Sequence, residues 1–265
     1  MNAPNPSTLR RQVGTVSPSA DTNSLPIVTV GGSAPRPSKL TMTVIGPPKS
    51  GKTTFGANIV HTINEDPNSV GALLVDLEEG AWHVPYEIPV VRPKSWDELK
   101  SYCSLAASYT LPNGKRISAI VIDTIDYAYD LLVEHALRKF GVGALGEAAY
   151  GAGWAYVRDE LMNFLNNVLR AHFALVVLLA HSRVGDSSET PRIDIPGKAG
   201  RSIIAWSDAV GIISIREQND GSMSPTISFS PGIGETGSRI AALQGKVVKA
   251  DWRTLRALLL DKSSS

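Results

Sequence analysis

A single cysteine, Cys103, leaves this chain without the means to close an internal disulfide, so no covalent staple can stand in for a core. The five histidines, at 61, 83, 135, 172 and 181, show no spacing that would build a zinc site with it. Charge of one sign is missing too. Lysine and arginine number 26 against 25 acidic residues, a formal net charge of +1, so no global field draws the protein onto nucleic acid or anionic lipid. Any polyanion site must be local. No apolar run approaches the roughly 18 residues that cross a bilayer, and the N-terminus lacks the uninterrupted apolar core of a signal peptide. The expectation is a soluble protein of a reducing cytoplasm, without membrane contact. What is present is 265 residues, 43% hydrophobic and 19% charged, enough for one large domain with a sizeable core.

Residues 1–38 are rich in Pro, Ser, Asn and Gly with little periodicity, which predicts a disordered N-terminal tail ahead of one domain over 39–265. From Leu40 onward short apolar runs alternate with longer helical patterns, the signature of a mostly parallel sheet flanked by helices. "LTMTVI" reads as the first strand and is followed by a helix from about Lys52 to Asn64. "GALLVD" and "ISAIVID" read as strands ending at Asp76 and Asp123, and "FALVVLLAH" as a buried parallel strand. Ser95 and Glu98 have capping-box spacing at the start of one helix, and others are expected over Ile125–Phe140 and Ala155–Ala171. "VGDSSETPRIDIPGKAGRS" reads as a long polar loop. "AVGIISI" and "SPTISFS" predict a hairpin at one edge of the sheet, with Asp-Gly in its turn. Trp252, Leu255, Leu258 and Leu259 fall on one face of a C-terminal helix capped by Asp251.

Between the first strand and the first helix lies "GPPKSGKTTFG". Gly46, Gly51, Lys52 and Thr53 satisfy G-x-x-x-x-G-K-[ST] in the strand-loop-helix setting that a phosphate cradle requires. In such a loop, here Gly46, Pro47, Pro48, Lys49, Ser50, Gly51, Lys52, Thr53 and Thr54, backbone N–H groups turn inward onto phosphates. Lys52 is expected to bridge the β- and γ-phosphates of ATP, and the Thr53 hydroxyl to ligate Mg2+. Pro47-Pro48 stiffens the loop, and Thr54 caps or supports it. A magnesium-nucleotide site also needs a carboxylate at the end of a neighbouring strand, which Asp123 supplies, with Thr124 beside it able to hold a water. Asp126 and Asp130 fall further into the next helix and read as solvated. Hydrolysis needs a group to align water, and "DLEEG" offers Glu78, with Asp76 and Glu79 as alternatives. His181 ends a strand at the same edge, where it can report whether a γ-phosphate is present.

The cradle, "DLEEG", "VIDT", a Gly-Trp-containing connector and "LLAHSR", in that order, resemble the RecA-like AAA-domain nucleotide-binding proteins of bacteriophages, a family that includes phage single-strand annealing and recombination ATPases. The likeness runs from about Lys39 to Ile215. The phosphate motif is shared by many families, and the order of the others carries the specificity. The resemblance implies a RecA-like P-loop core, a homo-oligomer, catalytic roles for Lys52, Glu78 and His181, and single-stranded DNA as partner. Two loops would face that DNA, one holding Tyr150 and Trp154, the other Arg183, Arg192, Lys198 and Arg201. Lys198 and Arg201 have a competing role as fingers reaching a neighbouring subunit's nucleotide. The tail, with Arg10-Arg11 and "LPIVTV", is where a replication or recombination partner would bind. A small-molecule or nucleotide kinase, with the Arg183–Arg201 loop as its lid, and a nucleotide-switched scaffold with little turnover are the alternatives.

Overall fold

The computed structural model describes residues 39–183, 191–217, 221–230 and 236–260. The expectation for the tail lies outside them. The first apolar run folds as β1 (Leu40–Gly46), and the glycine-bearing loop leads into α1 (Lys52–Glu65). β2 (Gly71–Asp76) follows, then a short 3-10 turn at Gly80–His83 and β3 (Val90–Val91), a two-residue strand with no signal in the sequence. α2 (Trp96–Ala106) starts where the capping pattern puts it, with the Glu98 N–H donating to the Ser95 hydroxyl at 3.2 Å. The Glu98 carboxylate reaches one residue further back than a capping box, accepting the Lys94 N–H at 2.8 Å.

β4 (Ile117–Asp123) runs into α3 (Ile125–Phe140), which ends at Gly141 in the left-handed conformation. The glycine-rich connector makes two short 3-10 turns before α4 (Ala152–Asn163). Where one helix was expected over 155–171, α4 gives way to π-helical turns at Phe164–Arg170, and β5 (Leu175–Arg183) follows.

Beyond β5 the expectation of one long polar loop is corrected. β6 (Arg192–Ile193) returns antiparallel onto Ser182 and Arg183, and α5 (Gly197–Trp206) follows it. The cause is an apolar pattern hidden among polar residues: Ile193, Ile195, Ala199 and Ile203 are all buried. Gly200 lets this helix close on that strand, because a Cβ there would sit 2.8 Å from both the Ile193 side chain and the Ile195 carbonyl. β7 (Ala209–Glu217) and β8 (Met223–Ser228) form the expected antiparallel hairpin. They are joined by the two-residue β9 (Gly237–Ser238) and by β10 (Val247–Lys249), which pairs with β8 and takes the edge position expected of the hairpin. α6 (Trp252–Leu260) closes the described chain, with Asp251 accepting the Thr254 N–H at 2.9 Å.

The sheet runs β10-β8-β7-β1-β5-β4-β2-β3, parallel from β7 through to β3. Alternation decides what each face meets. Met42, Val44, Leu74, Val121, Val177 and Leu179 pack with Phe55 and Ile59 of α1 and with Trp252 and Leu255 of α6. Ile45, Val75, Ile120, Ile122, Leu178 and Ala180 pack the other way, with α2 to α5. Both faces of β5 are therefore dry. Each such fully buried side chain is worth about 1.5–3 kcal/mol, which holds so apolar a strand at the centre of the sheet. Among the described residues, no helix is long and apolar enough to cross a membrane.

Candidate functional site

The parallel strands end along one edge, in two steps: Asp123 is level with Leu179, two residues before His181. Gly46 lies opposite His181, and Asp76 opposite Asp123. Asp123 closes β4, which β5 separates from β1. Asp123 is two residues beyond Val121, and His181 two beyond Leu179, so both share the parity of the side chains that meet α1.

Residues Gly46 to Thr54 form the loop that opens α1. Lys49 and Gly51 take left-handed conformations, with φ of 64° and 93°. Gly46 is required sterically: a Cβ there would lie 2.4 Å from the Ile213 side chain and 2.9 Å from its carbonyl. Pro47, Pro48 and Lys49 are exposed, whereas Ser50 and Lys52 are buried. The Lys52 ammonium turns back under the loop and donates to the carbonyls of Gly46 and Pro47 at 3.1 and 3.0 Å. Burial pulls its pKa below the usual lysine value, against the opposing pull of Glu78, Asp123 and Asp126. The Ser50 Oγ is buried and, among the described residues, has no hydrogen-bond partner. Thr54 is exposed. Lys49, Lys52, Thr53, Glu78, Gly80 and His181 are among the walls of a cleft of about 420 Å³.

Asp123 is fully buried, and among the described residues neither of its carboxylate oxygens has a partner in full hydrogen-bond geometry, the Thr53 hydroxyl standing nearest to one. Burial pushes its pKa up to about 7, and the nearby Glu78 and Asp76 charges add to that. The Thr53 hydroxyl and Lys52 lie close enough to oppose the shift. A buried carboxylate left unpaired is costly, and the one here adjoins the hydroxyl that opens α1. That donor set fits a hard divalent cation with several waters, such as Mg2+. The same imbalance gives a stability test. With a folded pKa of about 7 against a reference of 3.8, Asp123 favours the fold when protonated, and that contribution is lost as pH rises through about 7. In metal-free buffer Asp123→Asn should therefore be more stable than wild type near pH 8, by at most about 4 kcal/mol. The gain should shrink towards pH 4 in urea melts.

The acidic loop after β2 divides its labour. Asp76 is buried and structural: its carboxylate accepts the N–H groups of Gly80 and Ala81 at 3.0 and 3.3 Å and the Arg92 Nε at 3.0 Å. This brace fixes the turn that carries Glu78. Glu78 accepts from the Thr124 hydroxyl at 2.7 Å. Glu79 stands outside, paired with Lys94, whose ammonium holds its carboxyl below the usual carboxylate range. At the end of β5 the His181 Nδ1 lies 2.7 Å from Asp126 and 3.6 Å from Glu78. Asp126 is thus buried and bonded, which overturns its reading as solvated; it sits in the first turn of α3, level with the strand ends. Asp130 is exposed as expected.

The second group of residues lies apart. Arg183 and Arg192 are exposed and stand directly opposite each other across β5 and β6. Trp154, 52% exposed, does not serve as a core anchor, and Tyr150 is wholly exposed at a φ of 54°. Trp154, Arg158, Gly197 and Lys198 line a groove of about 390 Å³ where α4 and α5 begin. Arg201 is exposed one turn along α5. Sequence reasoning missed Asp126, the brace at Asp76 and Arg158. The first could have been found from its place in the helical turn after "VIDT", beside the end of the histidine strand.

A parallel sheet with a glycine-lysine-threonine cradle at the head of its first helix, and a buried unpaired aspartate facing it, defines a P-loop nucleotide-binding domain of the NTPase class. The profile of the AAA domain family matches residues 38–247, and the chain belongs to that family. The solved structures similar to it include the KaiC-like protein PH0186 of the hyperthermophilic archaeon Pyrococcus horikoshii OT3. Identity is 16% and the TM-score 0.44, over 71% of this chain and 77% of that one. No curated protein matches.

Proposed function

We propose that the protein binds Mg2+–ATP in the cleft over α1, hydrolyses it, and acts on single-stranded DNA as a homo-oligomer, in phage recombination or annealing. The hydrolytic part is carried by one observation: Lys52, Thr53, the unpaired Asp123, Glu78 and His181 converge on the same strand ends. In this reading Lys52 exchanges its two loop carbonyls for phosphate oxygens, and Asp123 with Thr53 holds the cation. Bound magnesium would neutralise charge developing on the phosphate oxygens. Glu78, steadied by Thr124, aligns the attacking water and takes its proton. His181 contacts the terminal phosphate.

The DNA part rests on the resemblance stated above and on the charges at the strand end. Like charges directly opposite on an antiparallel pair repel, and Arg183 and Arg192 have no acidic partner among the described residues. A phosphate between them would relieve that repulsion. Trp154 with Lys198 and Arg158 combines a stacking face with cations, as single-strand binders do. The segment from Arg192 to Trp206 is bolted to the core as strand and helix, which leaves little of it free to act as a lid. Replacing Arg183 and Arg192 with alanine should weaken single-strand binding without sequence preference. It should also flatten log affinity against log salt by about 0.7 per lost phosphate contact, with basal hydrolysis retained. ADP formation with and without single-stranded DNA is the companion measurement. Stimulation by a small acceptor instead, abolished in the double variant, would replace this reading with a kinase; nucleotide-dependent assembly without turnover would replace it with a switched scaffold.

A further inference from the structure

Asp126 directs both carboxylate oxygens at one residue of another element. Oδ1 accepts the backbone N–H of His181 at 2.9 Å, and Oδ2 lies 2.7 Å from the ring Nδ1. A charged carboxylate can only accept, so this contact puts a proton on Nδ1 and leaves Nε2 of the neutral ring as an acceptor. The His181 carbonyl is engaged as well, by the Asp194 N–H at 2.9 Å. Glu78 faces the same Nδ1 from 3.6 Å, while its Oε1 already accepts from Thr124. The Tyr127 ring stands 6.3 Å from the imidazole. His181 is therefore fixed through its N–H, its carbonyl and one ring nitrogen, while remaining part of the wall of the cleft.

We infer that Asp126 is a positioning residue for the reaction: it holds His181 in the Nδ1–H tautomer, so that Nε2 is the ring atom turned to the cleft, accepting from the attacking water while the ring is neutral and donating to the terminal phosphate only once it carries a proton. This rests on the hydrolytic reading above. It gives a buried acid in α3 a task that a merely solvated or capping residue would not have.

The tautomer can be read directly. The imidazole nitrogens of His181 are observed by 15N NMR in the full chain, at a pH where the ring is neutral, for wild type and Asp126→Asn. Nucleotide affinity and kcat are measured alongside. Wild type should show Nδ1–H. Asparagine offers one acceptor oxygen to two donors, so the variant should shift to Nε2–H and lose about tenfold or more in kcat, by analogy with other residues that orient an imidazole. Its affinity for the nucleotide should be unchanged. An Nε2–H ring in wild type overturns the inference whatever the stability of the variant. So does a loss of kcat without a change of tautomer, or a change of tautomer that leaves kcat intact. If wild type itself turns over no nucleotide, the hydrolytic reading fails separately, and the spectra still test the positioning.

Discussion

Lys52→Ala should abolish hydrolysis and lose the stabilisation that nucleotide gives the wild type, while the fold persists. Nucleotide at about a hundred times its dissociation constant stabilises a one-site protein by roughly 2.7 kcal/mol. At about 2–4 °C per kcal/mol for a domain of this size, that is a shift of several degrees in the melting midpoint. In the variant the shift should vanish. The unliganded protein should change far less, because two opposing effects meet at this residue. Alanine removes the bonds from Nζ to the carbonyls of Gly46 and Pro47, each worth about 1 kcal/mol. It also removes a buried ammonium whose desolvation already lowers its pKa. Differential scanning fluorimetry with and without Mg2+–ATP checks both halves; a variant that keeps the full nucleotide shift would remove Lys52 from the phosphate site.

Glu78→Gln should do something different: bind nucleotide as wild type does and turn it over about 10²–10⁴-fold more slowly, the usual contribution of a positioned general base. The amide oxygen can still accept the Thr124 hydroxyl that holds Glu78 at 2.7 Å, so the loop keeps its place. What is lost is the second acceptor oxygen and the charge. Glu79→Gln is the control. Its side chain is half exposed and paired with Lys94, outside the cleft, so the rate should hold. A dead Glu79 variant beside an active Glu78 variant would reverse the assignment.

The cradle, the strands and the ends of the strands were legible because each carries a local signature: glycine and lysine spacing, apolar runs, an aspartate closing a run. Phosphate chemistry and parallel pairing impose those patterns over a few residues. Ile193, Ile195, Ala199 and Ile203 were not legible as a packed unit, because prolines, glycines and charges interrupt them and only the contact with the core makes a strand and helix of "RIDIPGKAGRS". Asp126 was misread for a related reason. An acid in the first turn of a helix is ordinarily a solvated favour to the helix dipole, and only the arrival of β5 beside that turn gives it a partner. Asp76 and Glu79 could not be separated from Glu78 by spacing. Their roles are set by Arg92 and Lys94, 16 and 15 residues further on.

The cross-strand pairs of Gly46 with His181 and of Asp76 with Asp123 have a consequence for how such a chain can vary. Distances within the site are set by the sheet, across neighbouring strands, and owe nothing to the number of residues that separate the motifs. A crossover can lengthen on the far edge and leave these pairs untouched. A single residue gained or lost inside β4 or β5 would instead turn Asp123 or His181 to the opposite face, away from α1, without altering the composition of the chain. Length is thus free where the chain travels between strands and rigid where it lies within them.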